Sequence, residues 1–235
     1  RATEVRIGDA VTVVHARAWR TPLLYKVAVP GRHFAVNALA VIAAAGALRL
    51  DRALVLIALG QWHPGAGRGQ REVISLDLVD TRMTLELIDD AYNANPASMG
   101  AALEVLAAAE VTNDVGRVSR GRRIAYLGDM RELGRTEADL HAALAALPAM
   151  VRIDRVQCAG PLMRHLYEAL PEEKRGRWVE TAREMTDGIA RELDAGDVVL
   201  VKGSRGSAMD RVVADIQTPI AGLVNCAAIY KPGPF

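Results

Sequence analysis

The sequence predicts an α/β fold, with a Rossmann-like, mostly parallel sheet occupying the larger part of the chain, and three observations carry that expectation. Beyond residue 83, short apolar runs alternate with Ala- and Leu-rich stretches of helical length, the pattern of repeated strand-helix units. The run Leu85-Glu86-Leu87-Ile88 delivers two carboxylates, Asp89 and Asp90, and Asn95-Pro96 then opens a helix. Asn95 can accept from an orphan N–H of the first turn, and Pro96 suits the first helical position, where its missing donor costs nothing. Near the end, Asp197-Val198-Val199-Leu200-Val201 runs into the Gly-rich turn Lys202-Gly203-Ser204-Arg205-Gly206 and another helix. In such sheets ligands occupy the crevice at the carboxyl ends of the strands, which is where both turns lie.

Taken in order, the chain begins with two β-like runs, Asp9–Val14 and Leu23–Val29, read as the last strands of a sheet. Pro30-Gly31 breaks the pattern, and a helix follows from Arg32 to Leu50, too apolar and Ala-rich to face water on more than one side. A second helix, Asp51–Leu59, leads into the Gly-rich stretch Gly60–Arg71, the expected domain boundary. It holds no G-x-x-x-x-G-K-[ST], so its glycines read as hinge and not as a phosphate cradle. Val73–Val79 and Met83–Ile88 form an expected hairpin around Asp80-Thr81-Arg82, and the helix Pro96–Glu110 carries Met99, Leu103, Leu106 and Ala107 on one core-facing stripe. Arg122–Gly134 reads as strand then turn and places Asp129 at a strand's carboxyl end. Val151–Cys158, helix Pro161–Leu170, Trp178–Thr181 and helix Ala182–Leu193 continue the alternation, with Glu172–Arg175 as a solvated loop. The stretch from Gln217 to Phe235, ending Pro-Gly-Pro, reads as irregular or disordered.

Asp89-Asp90-Ala91-Tyr92-Asn93-Ala94-Asn95-Pro96-Ala97-Ser98-Met99 resembles the signature of the Mur ligases. Within them it resembles the members that add D-alanyl-D-alanine to UDP-N-acetylmuramoyl-tripeptide. Three further blocks agree in order and spacing: Pro30–Ala40, Leu127-Gly128-Asp129-Met130-Arg131-Glu132-Leu133-Gly134, and Val201-Lys202-Gly203-Ser204-Arg205. The resemblance implies ATP-dependent amide-bond formation through an acyl phosphate, in the cytoplasmic phase of peptidoglycan synthesis, with Mg²⁺ neutralising charge on the transferred group. Its substrates would be ATP, UDP-N-acetylmuramoyl-tripeptide and D-alanyl-D-alanine, and the expected state is a monomer. It also implies site residues. Asn37 would lie near adenine, Asp90 would accept from the ribose hydroxyls, Arg68 would fork onto phosphate oxygens, and Tyr92, Asn93 and Asn95 would shape the surrounding pocket. Gly128, Asp129, His141, Lys202, Gly203, Ser204 and Arg205 would line the place where acceptor and acyl group meet. Read without the resemblance, Asn37 is a helix-start cap, Arg68 a solvated linker arginine, Asp89-Asp90 a turn former and His141 a half-exposed helix histidine.

Phe34 stands where the family pattern has its first Asn. A P-loop, a magnesium cluster, the lysine that becomes carbamoylated and a UDP-sugar domain are all missing from the pattern. The expectation is therefore a carboxyl-terminal fragment: residues 1–66 as the end of a P-loop-type ATPase domain, 67–217 as the complete third domain and 218–235 as a tail. On that expectation the magnesium ligands lie upstream and the chain alone does not ligate. Other readings are a folylpolyglutamate or cyanophycin synthetase type of ligase, or a non-catalytic binding module.

Composition excludes several classes. With 29 Lys and Arg against 28 Asp and Glu the net charge is +1, which gives no electrostatic basis for binding nucleic acid or an anionic membrane. No apolar run approaches bilayer length, and Arg1-Ala2-Thr3-Glu4-Val5-Arg6 is not a signal peptide. Cys158 and Cys226 have no metal-ligand spacing and fit reduced thiols in a cytoplasmic compartment.

Overall fold

In the computed structural model, residues 1–8, 10–19, 21–77 and 79–218 are described. The first three strands, β1 (Ala2–Ile7), β2 (Thr12–Ala18) and β3 (Thr21–Val27), form an antiparallel sheet of their own. This corrects the two strands read at 9–14 and 23–29. His15 and Arg17 are the outward positions of β2, whose Val14 and Ala16 point inward. On β3 the inward set is Leu23, Tyr25 and Val27.

Helix α1 (Arg32–Ala47) lies on that sheet through Ala35, Ala38, Ile42 and Ala45, a stripe at helical spacing. Its start is pinned in two places. The Thr12 hydroxyl donates to the Val29 carbonyl and accepts from Gly31 N–H, both at 2.8 Å, and Tyr25 Oη donates to the Ala35 carbonyl at 2.6 Å. Gly31 has φ 138°, and a Cβ there would press on the His33 ring, so the turn into α1 requires glycine. Helix α2 (Arg52–Leu59) is capped by Asp51, whose carboxylate accepts from Ala53 and Leu54 N–H.

The larger sheet has six strands in the order β4-β5-β9-β6-β7-β8. They are β4 (Gln70–Ser75), β5 (Thr84–Asp90), β6 (Arg123–Gly128), β7 (Arg155–Ala159), β8 (Arg175–Val179) and β9 (Val198–Lys202). Only the edge pair β4-β5 is antiparallel. The central strands β6 and β9 are buried along their whole length, as parallel strands covered on both faces must be. One face is covered by α3 (Pro96–Ala108), α4 (Glu137–Ala142) and α5 (Met163–Ala169). The other is covered by α6 (Ala182–Thr186), α7 (Ile189–Glu192) and α8 (Asp210–Gln217).

Chain β6 therefore leaves toward one face and chain β9, its neighbour, toward the other. That divergence opens a crevice at their carboxyl tips, the place where doubly wound sheets bind ligands. Two expectations shift here. The helix read over 182–193 is broken into α6 and α7 at Gly188, which takes φ 82°, and the strand read over 151–158 begins only at Arg155, after a 3₁₀ turn over Pro148–Arg152. Glu172–Lys174 is a further 3₁₀ turn, and Arg175 already belongs to β8. Beyond Thr218 the tail lies outside the described residues.

Candidate active site

Asp90, the last residue of β5, pairs in register with Lys202, the last of β9, which in turn faces Leu127 of β6. Lys202 is 1 % exposed. Its ammonium donates to Asp90 Oδ2 at 2.7 Å and to the Asn93 carbonyl at 2.9 Å. Burial pushes the Asp90 carboxyl above its ordinary range, against the pull of the Lys202 ammonium. Lys202 thus holds the strand tip and the following turn together, and Asp90 keeps its second oxygen for another partner.

The linker is fixed to the same tip. Asp89 accepts from Gly67 N–H through its carboxylate at 3.0 Å, its carbonyl accepts from Gly69 N–H at 2.8 Å, and Tyr92 N–H donates to the Gly67 carbonyl at 3.0 Å. Gly67 and Gly69 take φ 71° and 81°, and a Cβ on Gly67 would press on Tyr92. This lacing sets the exposed Arg68 guanidinium over the Tyr92 ring, 4.2 Å from its centroid.

These groups line one side of a cavity of about 800 Å³, and α1 supplies the other side. Asn37, Arg68, Asp90, Tyr92, Asn93, Asn95 and Lys202 all open onto it. So do His33, Phe34 and Trp62, with Phe34 3.9 Å from the His33 ring and 5.6 Å from Trp62, centroid to centroid. The cavity is apolar along Val41, Ala45, Leu50 and Val55, and polar where the strand tip and linker meet it. His33 Nδ1 is buried with no hydrogen-bond partner, and burial, with the Lys202 charge, holds its pKa below the usual histidine range. Trp62 escaped the sequence reading because a single aromatic in a Gly-rich linker carries no periodic signal.

The remaining expected residues lie around β6 and β9 but not in that cavity. A Cβ on Gly128 or Gly203 would collide with Met209 and Ser207, so the two tips can approach only as glycines. Ser204 donates twice to the Asp129 carbonyl, from N–H at 3.0 Å and Oγ at 2.6 Å. The Asp129 carboxylate accepts from Met163 N–H at 2.9 Å and opens onto a second cavity of about 230 Å³. Burial raises its pKa, against the pull of the Met163 and Leu162 N–H groups. Arg205 is exposed at the start of a 3₁₀ turn, and His141 is buried, its Nε2 accepting from Met130 N–H at 3.0 Å and its Nδ1 turned to the Glu137 carbonyl. His141 therefore braces the turn after β6 and lines neither cavity, because α4 lays it against that turn.

Among the described residues no group of three or more His, Cys, Asp or Glu could hold a metal ion. The described residues therefore do not by themselves fit a magnesium site. No helix among them is long and apolar enough to cross a membrane.

Residues 76–205 match the profile of the Mur ligase, glutamate ligase domain. The chain belongs to the Mur ligase family. Among curated Mur ligases, it is 31 % identical over 195 residues to the UDP-N-acetylmuramoyl-tripeptide--D-alanyl-D-alanine ligase of Bacillus subtilis, covering 81 % of this chain and 39 % of the relative. It is 34 % identical over 191 residues to the Treponema pallidum protein of the same name, covering 80 % and 38 %. The crystal structure of MurF from Acinetobacter baumannii superposes with a TM-score of 0.69 at 25 % identity, covering 92 % of this chain and 44 % of that one. This Mur ligase chain thus spans roughly two fifths of the curated relatives it matches.

Proposed function

We propose that the chain is the carboxyl-terminal part of an ATP-dependent ligase that adds D-alanyl-D-alanine to UDP-N-acetylmuramoyl-tripeptide. In this reading residues 1–66 complete an ATP-binding domain and 67–217 form the third domain. The observation that carries it is the larger cavity, which gathers Asn37, Arg68, Asp90, Tyr92, Asn93 and Asn95 from both parts of the chain.

A nucleotide suits that cavity chemically. Its apolar wall and the Phe34 and Trp62 rings offer stacking surface to a base, with the Asn37 amide beside them to donate and accept. A ribose diol can donate to the Asp90 oxygen that Lys202 leaves unengaged, and Arg68 presents a permanent, forked cation to phosphate oxygens. In the reaction, ATP is a substrate. The tripeptide carboxylate takes the γ-phosphoryl group, ADP leaves, and the dipeptide amine displaces phosphate from the acyl phosphate. This chain's contribution is to orient the nucleotide and to close the space between the two parts against water. Both curated relatives bear the name of the D-alanyl-D-alanine branch, which favours it over the folylpolyglutamate and cyanophycin types.

The test has two arms. Calorimetric titration of the chain with ADP is expected to show binding that weakens at least tenfold in Asn37→Ala and in Arg68→Ala, both exposed side chains that can be removed without touching the core. Mixed with ATP, Mg²⁺ and both substrates, the chain alone is expected to release no phosphate, since it contains no G-x-x-x-x-G-K-[ST]. ADP affinity unchanged in both variants overturns the assignment of the cavity.

A further inference from the structure

The α1 side of the larger cavity offers a ligand two kinds of surface, aromatic and amide. Phe34 and Trp62 line it with ring centroids 5.6 Å apart and planes tilted by 57°, so a flat ring stacked on one meets the other edge to face. The Phe34 ring is backed by the His33 imidazole at 3.9 Å and reaches the linker, where a Cβ on Gly69 would lie 3.5 Å from its Cζ.

Polar groups on that side are few. His33 Nδ1 is covered and so out of a ligand's reach. Asn37, one turn along α1 from Phe34, is exposed, and among the described residues its amide has no hydrogen-bond partner. Across the cavity, Asn95 Oδ1 and Ser98 Oγ are taken up by the cap of α3, and Asn93 Oδ1 accepts from Ala94 N–H. Of the three amides in the lining, Asn37 alone keeps both its donor and its acceptor for a base.

One amide does not tell purines apart. A carboxamide sets one acceptor beside one donor, and it pairs with any edge that sets a donor beside an acceptor. Adenine does so with N6–H and N7, guanine and hypoxanthine with N1–H and O6, and uracil with N3–H and O4. Two amides would discriminate. The adenine amine has two hydrogens and an acceptor on each side, enough for a carboxamide on either flank, whereas guanine can complete only one such pair around its carbonyl. Position 34 lies three residues before Asn37 on the same face of α1, where a second amide would stand, and this chain has Phe there.

We infer that this cavity selects purine rings by stacking and not adenine by hydrogen bonding, with Phe34 as the residue that sets the choice. That assignment rests on the nucleotide reading of the cavity and adds a substrate class to it: GDP and IDP occupy the space as ADP does. Stacking area then ranks the ligands, because two fused rings cover more of Phe34 and Trp62 than one. Uracil presents Asn37 with the same pair of groups and falls short in area.

The test is calorimetric titration of the 235-residue chain with ADP, GDP, IDP and UDP as separate probes. GDP and IDP are expected to bind within about fivefold of ADP, and UDP at least about tenfold more weakly. Phe34→Leu and Trp62→Leu each keep an apolar side chain and remove a ring, so both are expected to weaken the three purine nucleotides by a common factor. Trp62 is 44 % exposed, so its variant tests stacking even where a change at Phe34 disturbs α1. Phe34→Asn is expected to put ADP ahead of GDP by at least about fivefold. GDP or IDP weaker than ADP by more than that factor in the parent chain overturns the inference and, since ADP still binds, spares the nucleotide reading. UDP as tight as ADP, or leucine variants with parent affinities, would mean that the phosphates hold the ligand and the rings do not, which overturns it as well. If none of the four nucleotides binds, the nucleotide reading falls and this selection falls with it.

Discussion

Lys202 shows how a single residue can be read two ways from sequence. Its place after a strand and before Gly203 suggests a cation offered to a ligand, yet the ammonium is buried and committed to Asp90 and the Asn93 carbonyl. Removing one partner of such a pair leaves the other charge without compensation in a site that excludes water. Lys202→Met is expected to lower the unfolding free energy by about 3 kcal/mol in urea titration, and Asp90→Asn in the same chain to recover part of it. Equal losses for the single and the double variant would show that packing, not charge, is what the lysine supplies. Asp90 also gives the proposed nucleotide cavity a pH dependence. Because burial raises its pKa, the carboxylate proposed to accept from the ribose is lost as the pH falls through a value above the ordinary carboxylate range. ADP affinity is therefore expected to fall on acidification, beginning above the pH at which an ordinary carboxylate titrates, and a profile that rises toward acid pH would exclude Asp90 as the acceptor.

At the scale of elements, legibility followed the strength of the local signal. Helix α3 was readable to within two residues because Asn95-Pro96 is a start signal with a mechanism. The Asn95 side chain accepts from Ser98 N–H at 2.8 Å while Ser98 Oγ accepts from Asn95 N–H at 3.0 Å, a reciprocal cap with Ser in place of the usual acid or amide. Strand β1 and the break at Gly188 were not readable. The first has Ala2, Val5 and Ile7 partly covered only because β2 lies beside it, and the second interrupts a run whose apolar spacing is continuous. Asn95→Ala is expected to cost about 1 kcal/mol in thermal unfolding through the lost cap. Gly160→Ala is expected to cost more, since it needs both a left-handed backbone and space that the Asp129 carboxylate occupies. A Gly160→Ala protein as stable as the parent would show that the β7–α5 turn relaxes freely and that the cavity beside it is not rigid.

At the scale of the whole molecule, the two parts of the chain have separate cores, one under α1 and one on each face of the six-stranded sheet. What joins them is slight. Arg32 and Glu104 approach to 3.9 Å with both side chains about half exposed, a contact of small energetic weight. The linker is tied to β5 and the β5–α3 turn through Gly67 and Gly69, while the cavity between the parts takes Phe34 and Asn37 from one and Asp90 and Tyr92 from the other. The motif blocks marked the residues on each wall, but not that the walls face each other, because no local pattern encodes the distance between elements more than fifty residues apart. A ligand that touches both walls must stabilise their juxtaposition. At a hundredfold excess over its dissociation constant, the linkage amounts to about 2.7 kcal/mol. ADP is therefore expected to slow proteolytic cleavage within 60–69 in the parent chain, and to slow it much less in Arg68→Ala, whose linker keeps its glycines and loses only the proposed phosphate contact. The rate of cleavage within 110–121, remote from the cavity, serves as the control. Protection by ADP that is equal at both segments would mean that the nucleotide stabilises the fold generally, and protection at neither would mean that it does not bridge the two parts.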